Sequence, residues 1–231
     1  MRILIGKLQI LRVVAVLTLP GQMAGLSGEI TNLACHGFRG LIKGDLLQVV
    51  VGPSNQIRSS ADGILWTDQP VPTLSSLYDL AYGNRMYIAV GNEGAVVTSN
   101  NGTEWTSHDS GTDERLRGIT FANNLFVAVG YSGAIITTRD GEHWNRADSG
   151  TRQRLQSICY GQNCFVAVGW NGIILSSRNG DQWTRQNSTT SAHLRRVVFA
   201  DGVFVIFGDS GLVLSSKDGR RWDVAASFAL K

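Results

Sequence analysis

The sequence predicts an all-β protein, a β-propeller of about five four-stranded antiparallel blades. Three periodic features carry that expectation. Trp66, Trp105, Trp144, Trp183 and Trp222 follow one another at a spacing of 39 residues. Leu77, Leu116, Leu155 and Leu194 keep the same spacing, with Phe38 one period earlier. The Val-Gly pairs ending at Gly52, Gly91, Gly130 and Gly169 also keep it, and Phe207-Gly208 completes the series. Self-similarity near 40 residues marks stacked units, none of which can hide its apolar faces alone. The units run 38–76, 77–115, 116–154, 155–193 and 194–231, and residues 1–37 hold no matching copy.

Each unit reads as four short strands. In the third, residues 116–121 form the first strand and Ala122-Asn123-Asn124 a turn. Residues 125–129 are almost wholly apolar, as suits a strand covered on both faces. Gly130-Tyr131-Ser132-Gly133 is a second tight turn, residues 134–138 a third strand, and Arg139-Asp140-Gly141 a third turn leading to the strand that holds Trp144. The loop 148–154 joins the next unit. No window keeps a helical period, and glycine, with 27 copies in the chain, interrupts each candidate. A ring of such sheets lets each face pack on a neighbour and hides strand edges, and the in-phase tryptophans are expected between blades.

Charged residues make up 17 % of the chain, and 21 Lys and Arg against 18 Asp and Glu leave a net charge of +3. No dense Lys/Arg run is present, which argues against a nucleic-acid partner. The segment 1–37 differs in character. Its apolar run 13–17 is too short to span a bilayer, and Arg2, Lys7 and Arg12 lie in or before the apolar stretch. A signal peptide ending near Ala24 and a poorly ordered lead are the two readings of this segment. Asn32-Leu33-Ala34-Cys35 only half matches a lipoprotein box.

The third turn repeats a motif: Ser60-Ala61-Asp62-Gly63 before Trp66, Ser99-Asn100-Asn101-Gly102 before Trp105, Thr138-Arg139-Asp140-Gly141 before Trp144, Ser177-Arg178-Asn179-Gly180 before Trp183, and Ser216-Lys217-Asp218-Gly219 before Trp222. It resembles the Asp-box (BNR) repeat of sialidase-like propellers. With its Phe-Val-Ala-Val-Gly, the surrounding unit resembles the photosystem II stability/assembly factor family. The resemblance covers 38–231 and implies a propeller and, from the second family, an assembly-factor-like role. Three departures stand beside it: the usual box has one more residue between acid and Trp, Asn101 and Asn179 replace Asp, and the assembly factors carry more than five blades. The physical role expected of Asp62, Asn101, Asp140, Asn179 and Asp218 is local. A side-chain oxygen accepts backbone N–H groups, Gly takes the left-handed step, and Trp anchors the outer strand.

Catalysis is not expected. A glycosidase needs two carboxyl groups facing one pocket, and sialidase-like enzymes add three arginines and insertions between blades, which the unbroken period excludes. Glu93, Asp113, Glu114 and Asp209 have no partner in a catalytic arrangement, and His36, His108, His143 and His193 fall at different repeat positions. No zinc-ligand spacing occurs, so neither metal nor cofactor is expected. Strand alternation instead sorts the loops onto two faces. The second turn and the interblade loop share the face around the channel mouth, where Pro53, Asn92, Tyr131, Trp170 and Asp209 occupy equivalent positions. Trp170 is out of register with the other tryptophans, so blade packing does not require it. Arg115, Arg117, Arg154, His193, Arg195 and Arg196, with Arg152, lie beside these aromatics. Guanidinium groups and aromatic rings together suit a protein or peptide with an acidic end. The alternatives are a lectin-like module stacking a sugar on Tyr131 and Trp170, a degenerate sialidase-like glycosidase, or a merely structural cap over a hairpin.

Cys159 and Cys164 flank Tyr160-Gly161-Gln162-Asn163. In a two-residue hairpin they are expected to face each other as a non-hydrogen-bonded pair, a candidate disulfide. Apolar pairs such as Val198/Val203 at the same place make buried core thiols the other reading. An oxidised pair and a signal peptide would both suit an extracytoplasmic site, secreted or periplasmic, which is favoured over the cytoplasm.

Overall fold

The structure, a computed structural model, describes residues 39–227. The expectations for residues 1–37 and for Cys35 lie outside them, as does Phe38. The described chain folds into five four-stranded antiparallel sheets, each with its strands in sequence order. The first sheet uses Gly40–Lys43, Gln48–Val51, Ile57–Ser60 and Thr67–Gln69, and the second Leu77–Gly83, Met86–Gly91, Val96–Ser99 and Thr106–His108. The third uses Leu116–Ala122, Leu125–Gly130, Ile135–Thr138 and Asn145–Ala147. The fourth uses Leu155–Gly161, Cys164–Gly169, Ile174–Ser177 and Thr184–Gln186, and the fifth Leu194–Ala200, Val203–Gly208, Leu212–Ser216 and Asp223–Ser227. First strands of successive sheets lie against one another, which places them nearest the axis. No helix among the described residues is long and apolar enough to cross a membrane.

The apolar second strands are the reason the sheets stack. Phe126, Val127, Ala128 and Val129 are all 0 % exposed, because side chains from both faces are covered. Phe126 and Ala128 point back to the second sheet, joining Ile88, Val90, Val96 and Leu116. Val127 and Val129 point forward, joining Phe165, Ala167 and Leu175 of the fourth. Equivalent cores form between the first and second sheets and between the fourth and fifth. Trp105, Trp144, Trp183 and Trp222 each close one of these four cores, while Trp66 belongs to none.

The first sheet differs on the face turned away from the second. Gln48 and Arg58 stand where the later sheets carry Tyr87 and Val97, or Phe126 and Ile136, and Arg58 Nε pairs with Asp68 Oδ1 at 2.6 Å. A Cβ on Gly141, Gly180 or Gly219 would strike side chains of the preceding sheet, and one on Gly102 would press on Leu47 and Val49 at 3.3 Å. On Gly63 the nearest atoms belong to Gln48 of its own sheet.

The third turns follow one plan. Asn179 Oδ1 accepts the N–H groups of Asp181 and Gln182 at 3.1 and 3.0 Å and the Ser177 hydroxyl at 3.1 Å. Asp140 Oδ1 accepts those of Glu142 and His143 in the same way. Gly141 and Gly180 sit at φ +79° and +83°, and Trp144 and Trp183 donate Nε1–H to the carbonyls of those glycines at 3.1 and 2.8 Å.

The cysteine geometry departs from expectation. Gln162 and Asn163, at φ 46° and 55°, are the two residues of the turn. Gly161 therefore faces Cys164, and Cys159 faces Val166. The cysteines are diagonal neighbours rather than opposite partners, and both are free thiols. Burial pushes both thiol pKa values up.

Candidate functional site

Two local devices build the face that carries the second turns. The first is the turn itself. Asn92, Tyr131, Trp170 and Asp209 each open a single 3-10 turn, followed by a residue in the left-handed region and then a glycine. The glycine is obligatory at Gly172, where an added Cβ would lie 1.9 Å from the Thr190 carbonyl oxygen. The opening N–H bonds back to the residue just before a first strand: Tyr131 N to Arg115 O, Trp170 N to Arg154 O and Asp209 N to His193 O, each at 2.9 Å. Tyr131 and Trp170 are thus fixed beside Arg115 and Arg154, and Asp209 beside His193.

The second device is a β-bulge. Leu116 faces Gly130 and Gly118 faces Val129, so Arg117 is an extra residue with no opposite number. Tyr78, Gln156 and Arg195 are the extra residues of the second, fourth and fifth sheets. A bulge redirects a side chain out of the pleat, and here two of the four bulge residues, Tyr78 and Arg117, meet in one cluster.

That cluster is a ribbon of alternating guanidinium groups and rings. Arg39 and Arg117 place Cζ 4.5 and 4.3 Å from the Tyr78 ring centroid. Arg115 lies 5.6 Å from Tyr78 and 5.1 Å from Tyr131. Arg154 bridges Tyr131 and Trp170 at 4.6 and 4.2 Å. Trp170 stacks on His193 at 4.5 Å and 17°. The His193 ring is held by the Asn171 N–H, which donates to Nδ1 at 3.1 Å, so Nδ1 is unprotonated in this arrangement. Each ring–guanidinium contact contributes about 0.5–2 kcal/mol, depending on how far water is excluded. The Tyr78 hydroxyl donates to Asn92 Oδ1 at 2.9 Å.

The charges are unequally matched. Arg195 is tied to Asp209 by two contacts, Nε–Oδ1 at 2.6 Å and Nη2–Oδ2 at 2.8 Å. Among the described residues, none of Arg39, Arg115, Arg117 and Arg154 makes an ion pair. The Arg117 Nε and Trp170 Nε1 atoms are buried without a hydrogen-bond partner. Asp79, next to the bulge residue Tyr78, is half-buried and accepts the Ile119 N–H at 3.0 Å. Burial pushes its carboxyl pKa up to about 6, against that hydrogen bond and the fields of Arg196 and Arg117.

The structure thus brings together Tyr131, Trp170, Arg115, Arg117, Arg154 and His193 of the residues expected from sequence. Arg195 is committed to Asp209, and the exposed Arg196 acts on Asp79 and on the Cys159 thiol only through its charge. Arg39, Tyr78 and Asp79 were not anticipated. The signal for Tyr78 was present, since it occupies the repeat position of Arg117. A bulge is also written into spacings such as Leu116 to Ile119, where buried residues fall three apart instead of two.

No family model and no curated protein matches the chain. Solved structures do. A structure of YCF48 bound to D1 peptide aligns with a TM-score of 0.63 and 21 % identity over 81 % of this chain. The chain spans only 66 % of that protein's length. YCF48 from Cyanidioschyzon merolae aligns with a TM-score of 0.57 and 13 % identity, over 81 % of this chain and 84 % of the other. A chain of a nidogen/laminin complex aligns with a TM-score of 0.63 and 12 % identity, over 78 % and 76 %. The fold is a β-propeller. At these identities the likeness extends to architecture alone, and in this propeller the second-turn face is where guanidinium groups stack against rings. Among the described residues no three His, Cys, Asp or Glu side chains come together to hold a metal ion.

Proposed function

We propose that this propeller is a non-catalytic binding module that captures a protein or peptide partner on its second-turn face, in an assembly-factor-like role. The observation that carries the proposal is the ribbon from Arg39 to His193, in which four guanidinium groups lie against rings and, among the described residues, have no carboxylate partner. Stacked guanidinium groups are pre-oriented, so little side-chain entropy is lost when a carboxylate binds. An acidic side chain or a chain-terminal carboxylate is the group such a surface suits. YCF48, aligned above, is in a structure with D1 peptide, and the third aligned chain is in a nidogen/laminin complex. Both are consistent with a propeller that docks polypeptide.

The test is capture of a partner from native lysate, followed by titration with a synthetic peptide of its bound segment. The double variant Trp170→Ala/Arg154→Ala should abolish capture, and raising the salt from about 0.05 to 0.5 M should weaken it severalfold. Unchanged capture by the double variant rejects the proposal. Sugar stacking, the competing reading, predicts little salt dependence and hits on a glycan array. Against it, the Trp170 ring already carries Arg154 and His193, so a sugar would have to displace one of them.

A further inference from the structure

The face opposite the ribbon carries the first and third turns. We infer that the cleft between the fourth and fifth blades on this face is a second, independent site, for a small phosphorylated ligand. The cleft has a volume of about 730 Å³, and Arg178, Lys217 and Arg220 line it together with Asn123, Gln162 and Asn163. That size suits a small molecule rather than a single ion. Among the described residues, none of the three cations makes an ion pair or a side-chain hydrogen bond. The acid in the cleft, Asp218, is tied into its turn through one oxygen. Its Oδ1 accepts the N–H groups of Arg220 and Arg221 at 2.8 and 2.9 Å and the Ser216 hydroxyl at 3.1 Å. Three cations beside one carboxylate leave an excess of positive charge that suits a phosphate monoester, and Gln162, with the donors and acceptors that Asn123 and Asn163 keep beyond their bonds to the Tyr160 hydroxyl, can meet the hydroxyls of its organic part.

The repeat supplies an internal comparison. The cleft between the second and third blades has the same construction and is lined by Glu104, Asp140 and Glu142, with Arg139 as its cation. There the Arg139 Nη1 is engaged by the Asn124 carbonyl at 3.1 Å. At the position after the turn glycine the series reads Thr103, Glu142, Asp181, Arg220, and at the next Glu104, His143, Gln182, Arg221. The turn requires its acceptor and its glycine but no cation at these places, because all five copies fold alike with different residues there. The positive charge of the fourth cleft is therefore not imposed by the fold. A polyanion such as a nucleic acid is disfavoured, since it would have to continue along the rim past Asp181 and Glu142. A small ligand remains within the basic stretch.

The test uses inorganic phosphate and glucose 6-phosphate as probes, glucose as the neutral control, and amide chemical shifts as the readout. Both phosphate probes should saturate shifts at Gln162, Arg178 and Arg220, and glucose should not. Arg178→Gln/Arg220→Gln should weaken binding by about tenfold or more. Arg139→Gln, which alters the acidic cleft, should leave it unchanged, as should Trp170→Ala/Arg154→Ala, so this site and the ribbon fail separately. No saturable shift below about 10 mM, or equal binding by the Arg178→Gln/Arg220→Gln variant, overturns the inference.

Discussion

Asp79 shows how one side chain couples the site to stability. Its carboxylate lies half-buried beside the axis, and desolvation raises its pKa from the ordinary 3.8 to about 6. Between these values the folded protein holds more protons than the unfolded chain, so stability falls as pH rises through that window and is level above it. Asp79→Asn keeps an oxygen for the Ile119 N–H and removes the charge. It should flatten the stability profile between about pH 4 and 6 and raise stability at pH 7 by on the order of 1–2 kcal/mol. Urea denaturation at several pH values reads this, and an unchanged slope would reject it. Composition alone could not reveal this residue. Asp79 is an ordinary acid in a strand-like run until the next blade packs against it, and only the assembled axis draws it partly out of water.

Turns and bulges divide the work within a blade, and the sequence exposed them unequally. Turns were visible because each depends on local chemistry: a left-handed step and a side-chain acceptor two residues from its target. Asn179→Ala should thus cost about 1–2 kcal/mol, through loss of the acceptor for Asp181 N and Gln182 N. Asn179→Asp should cost almost nothing, because Asp140 and Asp218 perform the same task in neighbouring blades. Thermal denaturation of the two variants separates the outcomes. The cysteine register was misjudged because a strand pair is set by where its turn lies. Once Gln162 and Asn163 take the turn, Cys164 has only Gly161 as its opposite. The bulges were missed for a different reason. Their residues have no fixed type, being Tyr78, Arg117, Gln156 and Arg195, so only the spacing of the buried flanking residues marks them.

Stability across the whole propeller is divided among interfaces rather than held in one centre. Trp222 is 7 % exposed and packs with Phe204, Val166 and Leu194 in the last of the four cores. Trp222→Ala should cost about 3–5 kcal/mol. Trp66, half-buried and outside all four cores, should cost markedly less when changed the same way. Chemical denaturation of the two alanine variants measures the difference, and equal losses would show that the first blade is held by an equivalent core. The period of 39 made the fold readable from end to end, since chance does not keep three residue types in phase over five copies. Periodicity cannot distinguish one blade from another. The ribbon arises where the copies differ, and which differences meet in space depended on the loops joining one blade to the next.

The bulges have a practical consequence. Each sets one side chain outside the pairing of its strand, so the chain offers a row of positions whose chemistry is open to change at little expense to packing. A library varied only at 78, 117, 156 and 195 should return folded proteins of altered binding preference, a recognition surface that can be rewritten one blade at a time.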